Sequence, residues 1–166
     1  MDKITLTTKL SLNDFIKVSY HLTYRKFSMK FVTGFGLLIL LLVPFSNNYD
    51  TEFPWFLLLF GFFISIGQPI LVYFSTKKNY ISNSRISETI IYEFDNKSIL
   101  MTGESFNSRL TWDKIYSVTE NKDWILIWQN RQTANVVPKR DFKNGELQIF
   151  KDIVNTHNEL KNKLKK

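Results

Sequence analysis

The sequence predicts an α+β membrane protein. A two-helix transmembrane hairpin is followed by an antiparallel β-sandwich or barrel, which a C-terminal helix caps. Three observations carry this. Residues 31–45 and 53–74 contain no charged side chain. From about residue 87 the apolar residues recur with period two between polar turn clusters. From Gly145 they recur at helical spacing.

A membrane-spanning helix needs roughly 20 mostly apolar residues. The uncharged stretch 31–49 meets that length, so the first span is placed at about 31–48 and the second at about 54–74. Gln68-Pro69 falls in the last third of the second span. Pro69 has no N–H to donate, and a kink is expected there. The first run is read as a span, not a cleaved signal. Thirty polar and amphipathic residues precede it, and a second apolar run follows within seven residues.

Charge orients the hairpin. The chain carries a net +7, and the surplus sits beside the apolar runs. Six basic residues precede the first run against Asp2 and Asp14. Lys77, Lys78 and Arg85 follow the second with no acid among them. The link 46–52 has Asp50 and Glu52 and no base. A lysine and arginine bias of this kind marks the cytoplasmic side. Both termini are therefore expected in the cytoplasm, in a multi-pass protein of the plasma membrane. Tyr49, Trp55 and Tyr73 fall at the expected interfaces. Nucleic acid is not an expected partner, because such binding needs the positive charge spread over a folded face.

Three segments follow from this: residues 1–30, the hairpin 31–76 and a soluble domain 86–166. In the first, residues 3–9 alternate as a strand able to join the later sheet. Ser11 with Asp14 marks a helix start. That helix is expected to run from about residue 12 into the membrane, its first turns at the interface. Residues 76–84 read as a hinge. In the soluble domain, strands are expected at 87–95, 98–102, 105–111, 114–120, 124–129 and 133–138. The C-terminal helix is expected to carry Leu147, Phe150, Ile153, Val154, His157, Leu160 and Leu164 on one stripe.

The runs Ile91-Tyr92-Glu93-Phe94-Asp95, Leu110-Thr111-Trp112-Asp113-Lys114-Ile115 and Val136-Val137-Pro138-Lys139-Arg140-Asp141-Phe142 occur in this order after the hairpin, with Leu12-Asn13-Asp14-Phe15 just before it. The layout resembles the YcxB-like family of small bacterial membrane proteins, whose C-terminal domain is similar to a bacterial pleckstrin-homology fold. The resemblance implies six or seven strands closed by a helix and brings no catalytic residue with it. The residues themselves give structural reasons for three of these positions. Trp112 reads as a core anchor with its N–H on a partner. Pro138 ends a strand because it cannot donate to the ladder. Phe142 plugs the core before the closing helix.

No catalytic constellation stands out, so an enzyme is not expected. The chain has no cysteine and two histidines, His21 and His157, too few for a structural zinc site, and no cofactor is expected. Phosphate-loop, nucleophile-elbow and zinc-helix motifs are absent. Glu88, Glu93, Asp95 and Glu104 read as solvated acids on turns or outward strand faces. In the apolar runs Thr33, Ser46, Ser65 and Gln68 are the polar side chains of note. None is ionisable, which argues against an ion path through one copy. Gly34, Gly36, Gly61 and Gly67 permit close helix packing, within one chain or in a homo-oligomer. A basic group, Lys139, Arg140 and Lys143 with lysines 161, 163, 165 and 166, is the candidate contact for a lipid headgroup or a protein partner. These features lead us to expect a non-catalytic binding module on a membrane anchor, offered to a protein, a peptide or a lipid headgroup. The alternative is an accessory subunit of an envelope or transport complex that acts through the hairpin.

Overall fold

Two compact units divide the chain: residues up to Leu10 join those from Arg85 onward, and Ser11–Ser84 form the other. The computed structural model describes residues 3–45 and 54–165, so the link 46–52 and Lys166 lie outside the described residues.

The β unit opens with β1 (Ile4–Lys9), whose alternate residues Ile4, Leu6 and Thr8 are buried. It pairs antiparallel with β2 (Thr89–Phe94), then β3 (Ser98–Thr102) and β4 (Asn107–Thr111) follow in the order β1-β2-β3-β4. A 3₁₀ turn, Trp112–Lys114, carries the chain into a second sheet. That sheet contains β5 (Ser117–Glu120), β6 (Trp124–Trp128), β7 (Ala134–Pro138) and β8 (Asn162–Lys163), ordered β7-β6-β5-β8. The 3₁₀ turn claims residues 112–114, so β5 begins later than the alternation predicts.

Asx turns close three of the hairpins. Asp95 Oδ1 accepts from the N–H groups of Lys97 and Ser98 at 2.6 and 2.7 Å. Asn121 and Asn130 do the same for the β5–β6 and β6–β7 links. These short side chains satisfy turn donors that no ladder reaches.

The expected all-antiparallel sandwich is corrected in two respects. β8 runs parallel to β5, and the two sheets stay open, with no closed barrel among the described residues. The C-terminal helix is also shorter than its stripe. It is α6, Glu146–Asn155, started by Gly145 at φ 83° and stopped at Thr156, whose hydroxyl donates to Ile153 O at 2.7 Å. His157, Leu160 and Leu164 lie beyond it. The chain turns there, and Leu160 reaches the core from that turn and Leu164 from the extended residues after it, not from a fourth helical turn. Phe150 is the centre of that core. Its ring meets Phe94 at 4.9 Å and Phe142 at 5.7 Å, both edge-on.

In the helical unit α1 (Leu12–Tyr24) carries the capping box that its sequence predicts: Ser11 Oγ accepts from Asp14 N–H, and the Asp14 carboxylate accepts from Ser11 N–H. It does not continue into the apolar run. Lys26 is extended (φ −71°, ψ 128°) and starts α2 (Phe27–Leu42), which Val43–Phe45 prolong as a 3₁₀ turn. The break lets α1 fold back along the later helix, where Tyr20 Oη donates to Pro69 O at 2.6 Å and Phe15 meets Tyr80.

The second apolar helix comprises α3 (Trp55–Phe62), a π-helical turn (Phe63–Gly67) and α4 (Gln68–Ser82). The π turn stands just before Pro69, and Gln68 N–H donates five residues back to Phe63 O. Pro69 thereby falls in the first turn of a new α segment, where no donor is required. Much of the expected 76–84 linker is helical: α4 runs through Ser82, Asn83 is extended before the short α5 (Ser84–Ser87), and the boundary between the two units falls at Ser84.

α2 and α3 touch through glycine. A Cβ at Gly36 would stand 2.4 Å from Ser65 Oγ and from Ile64 Cγ1, and one at Gly61 would stand 3.1 Å from Gly36 O. Gly34, by contrast, faces open space.

Candidate functional site

Two places in the β unit gather polar side chains around defined geometry. The first was not singled out from the sequence. Glu120 closes β5 with the parity of Val118, so its side chain points to the inner face, opposite Ile125 in the register. Its carboxylate is 1% exposed and accepts from Lys139 Nζ at 2.5 Å and from Lys151 Nζ at 2.9 Å. The backbone N–H of Lys165 adds a third bond at 2.8 Å, and Lys151 Nζ also donates to Lys165 O at 2.7 Å. Burial alone would raise the Glu120 carboxyl; the two ammonium groups and the amide outweigh it and hold the group at about 2. The cluster ties β5, the turn after β7, α6 and the C-terminal strand together. Period two along β5 signals that Glu120 faces inward, but not which partners meet it.

Of the predicted basic group, Lys139 is spent in that cluster. Arg140 has its Nε 3.6 Å from Asp141, and the backbone N–H of Lys143 donates to Glu146 at 2.6 Å, as a start to α6. The side chains of Arg140 and Lys143 are exposed. Lys161, Lys163 and Lys165 are exposed along the last strand. Trp112 is buried and donates its indole N–H to Asp95 O at 2.8 Å. Pro138 is the last residue of β7, and Phe142 packs on Phe150.

The second place is a cleft of about 400 Å³ lined by Trp112, Asp113, Ile115, Thr156, Asn158 and Leu160, together with His157 and Glu159. The His157 ring stacks on the Trp112 indole at 5.2 Å and 25°. The Thr111 hydroxyl holds the Asp113 carboxylate below its ordinary range, so it is ionised at neutral pH. α6 ends at this cleft and adds the negative pole of its dipole.

The remaining acids divide. Glu104 is exposed and Glu93 pairs with Lys3 at 2.7 Å. Glu88 is buried instead of solvated, because its carboxylate caps the loop after β3 by accepting from Ser105 N–H at 3.1 Å. Among the described residues, no three His, Asp or Glu side chains are grouped to hold a metal ion. In the helical unit Thr33 Oγ1 donates to Gln68 Oε1 at 3.3 Å, and Gln68 Nε2 lies 3.6 Å from Met29 Sδ. These polar groups satisfy one another.

Nothing among the curated proteins or the solved structures matches the chain. One family model does. It covers β3 to β7 and most of α6, the part of the β unit that holds Trp112, Glu120 and Lys139. Residues 94–154 match the model of the YcxB-like protein family, so the chain is similar to YcxB-like proteins over that stretch.

Proposed function

We propose that the chain is a non-catalytic interaction module anchored in the plasma membrane by its two apolar helices. The observation that carries the reading is the outer surface of Phe27–Phe45 and Trp55–Ser82, helices of 19 and 28 residues. Their large apolar side chains point away from the protein: Phe27 is 81% exposed, Leu59 70% and Phe74 60%. Contiguous apolar surface of this extent is unstable in water. At 1.5 Å per residue the shorter helix measures about 28 Å, close to the hydrocarbon thickness.

Orientation rests on the basic flanks and on connectivity. β1 precedes the hairpin, β2 follows it, and the two are hydrogen-bonded neighbours. Both flanks therefore belong on one side of any bilayer the helices cross, and the lysine bias makes that side cytoplasmic. The two sheets with α6 packed through Phe150 are consistent with a pleckstrin-homology-like sandwich, which would offer its clefts and edges to a protein, a peptide or a lipid headgroup.

The absence of cysteine makes the test clean. Single Lys9→Cys, Lys97→Cys and Asn48→Cys variants are labelled with an impermeant maleimide in intact cells, beside carbonate extraction of membranes. The proposal expects retention in the pellet, labelling at 48 alone, and labelling at 9 and 97 only after permeabilisation. Release by carbonate, or labelling of position 97 in intact cells, would overturn it.

A further inference from the structure

We propose that the cleft between the Trp112 turn and the segment after α6 binds an organic cation on an apolar stem, as an arginine or lysine side chain of a partner peptide presents it. Three features converge on that chemistry. Part of the lining is apolar, where the stacked Trp112 and His157 rings stand beside Ile115 and Leu160, and this part suits a methylene stem. The rim is negative, since Asp113 and Glu159 flank the opening and the C-terminal pole of α6 points the same way. The volume of about 400 Å³ lies in the range of small-ligand sites.

An electronegative hollow on a chain of net charge +7 runs against the overall composition. Lys114 stands 3.6 Å from Asp113, with both side chains about two-thirds exposed or more. Such a pair is weak, and an incoming guanidinium, which can bond a carboxylate in bidentate fashion, would displace it.

The proposal gives the binding half of the functional reading a ligand class. Its test reads the cleft directly, so failure of the membrane anchor would leave it standing. The full-length protein in a zwitterionic detergent is labelled with ¹⁵N and titrated with a short arginine-containing peptide and, separately, with agmatine. The Trp112 indole resonance, assigned through Trp112→Phe, is followed. A saturable shift is expected, weakened by salt and about tenfold weaker in Asp113→Asn/Glu159→Gln. Both substitutions are on exposed side chains, so the fold is retained. A response to the peptide alone supports a peptide-borne cation, and a response to agmatine supports the cation site for a free amine as well. No saturable shift with either probe, or one indifferent to the double substitution, would overturn the proposal.

Discussion

Glu120 and Lys165 are 45 positions apart in sequence, yet the carboxylate of one accepts the backbone N–H of the other at 2.8 Å. That bond fastens the last strand to β5 at the point where Val118 N–H also donates to Lys161 O. An anion buried at 1% exposure is tolerated because every bond it accepts comes from a cation or an amide.

Glu120→Gln is expected to destabilise the β unit by about 2 kcal/mol, since two ammonium groups lose their anion while keeping partial access to water. Tryptophan-fluorescence unfolding in detergent measures it. A change within about 0.5 kcal/mol would mean that the cluster is not a stabilising one.

The same group sets a pH dependence. Its folded pKa, about 2, lies below the ordinary value of 4.5, so its contribution is complete above that value. The contribution is lost as pH falls from about 4.5 towards 2. Linkage puts it at up to about 3 kcal/mol. In Glu120→Gln this part of the acid loss is expected to vanish, and unchanged acid curves for the two proteins would contradict the assignment.

Phe150→Ala removes the ring on which Phe94 and Phe142 converge. A loss of about 3–5 kcal/mol is expected from the cavity, enough to abolish cooperative unfolding in a unit of this size.

Gly36→Val and Gly34→Val form a controlled pair. The first drives a side chain into Ser65 and Ile64, and the second meets open space. Protease protection of the helical unit is expected to fall for position 36 and to stay near that of the unchanged protein for position 34. If both change alike, the α2–α3 contact is not what glycine serves.

Much of this architecture was legible from residue order. The apolar runs, the Ser11 cap, the N-terminal strand joining the sheet and the Asx links all follow from local chemistry that little else overrides. What was illegible depends on partners distant in sequence. The Glu120 cluster needs a β-strand end, a post-strand turn, a helix and the chain terminus together, and no local pattern announces such a meeting. The stripe through Leu160 and Leu164 misled because a turn and the extended residues after it return both leucines to the core at helix-like spacing. The π turn was half-visible, since Pro69 signals that a bond must be lost and leaves open how the helix recovers.

The register partners Lys9 and Thr89 stand where the chain leaves the first sheet and where it returns. During synthesis β1 is made first and remains without its neighbour until all the helical residues have been translated. Its closure is therefore a late event with a long intervening loop, costlier in entropy than that of a tight hairpin. On the proposed membrane reading the helices double as a checkpoint: a chain whose apolar segments crossed a bilayer an odd number of times would strand β1 and β2 on opposite faces and leave the sheet incomplete. On that reading a strand only six residues long would proofread insertion.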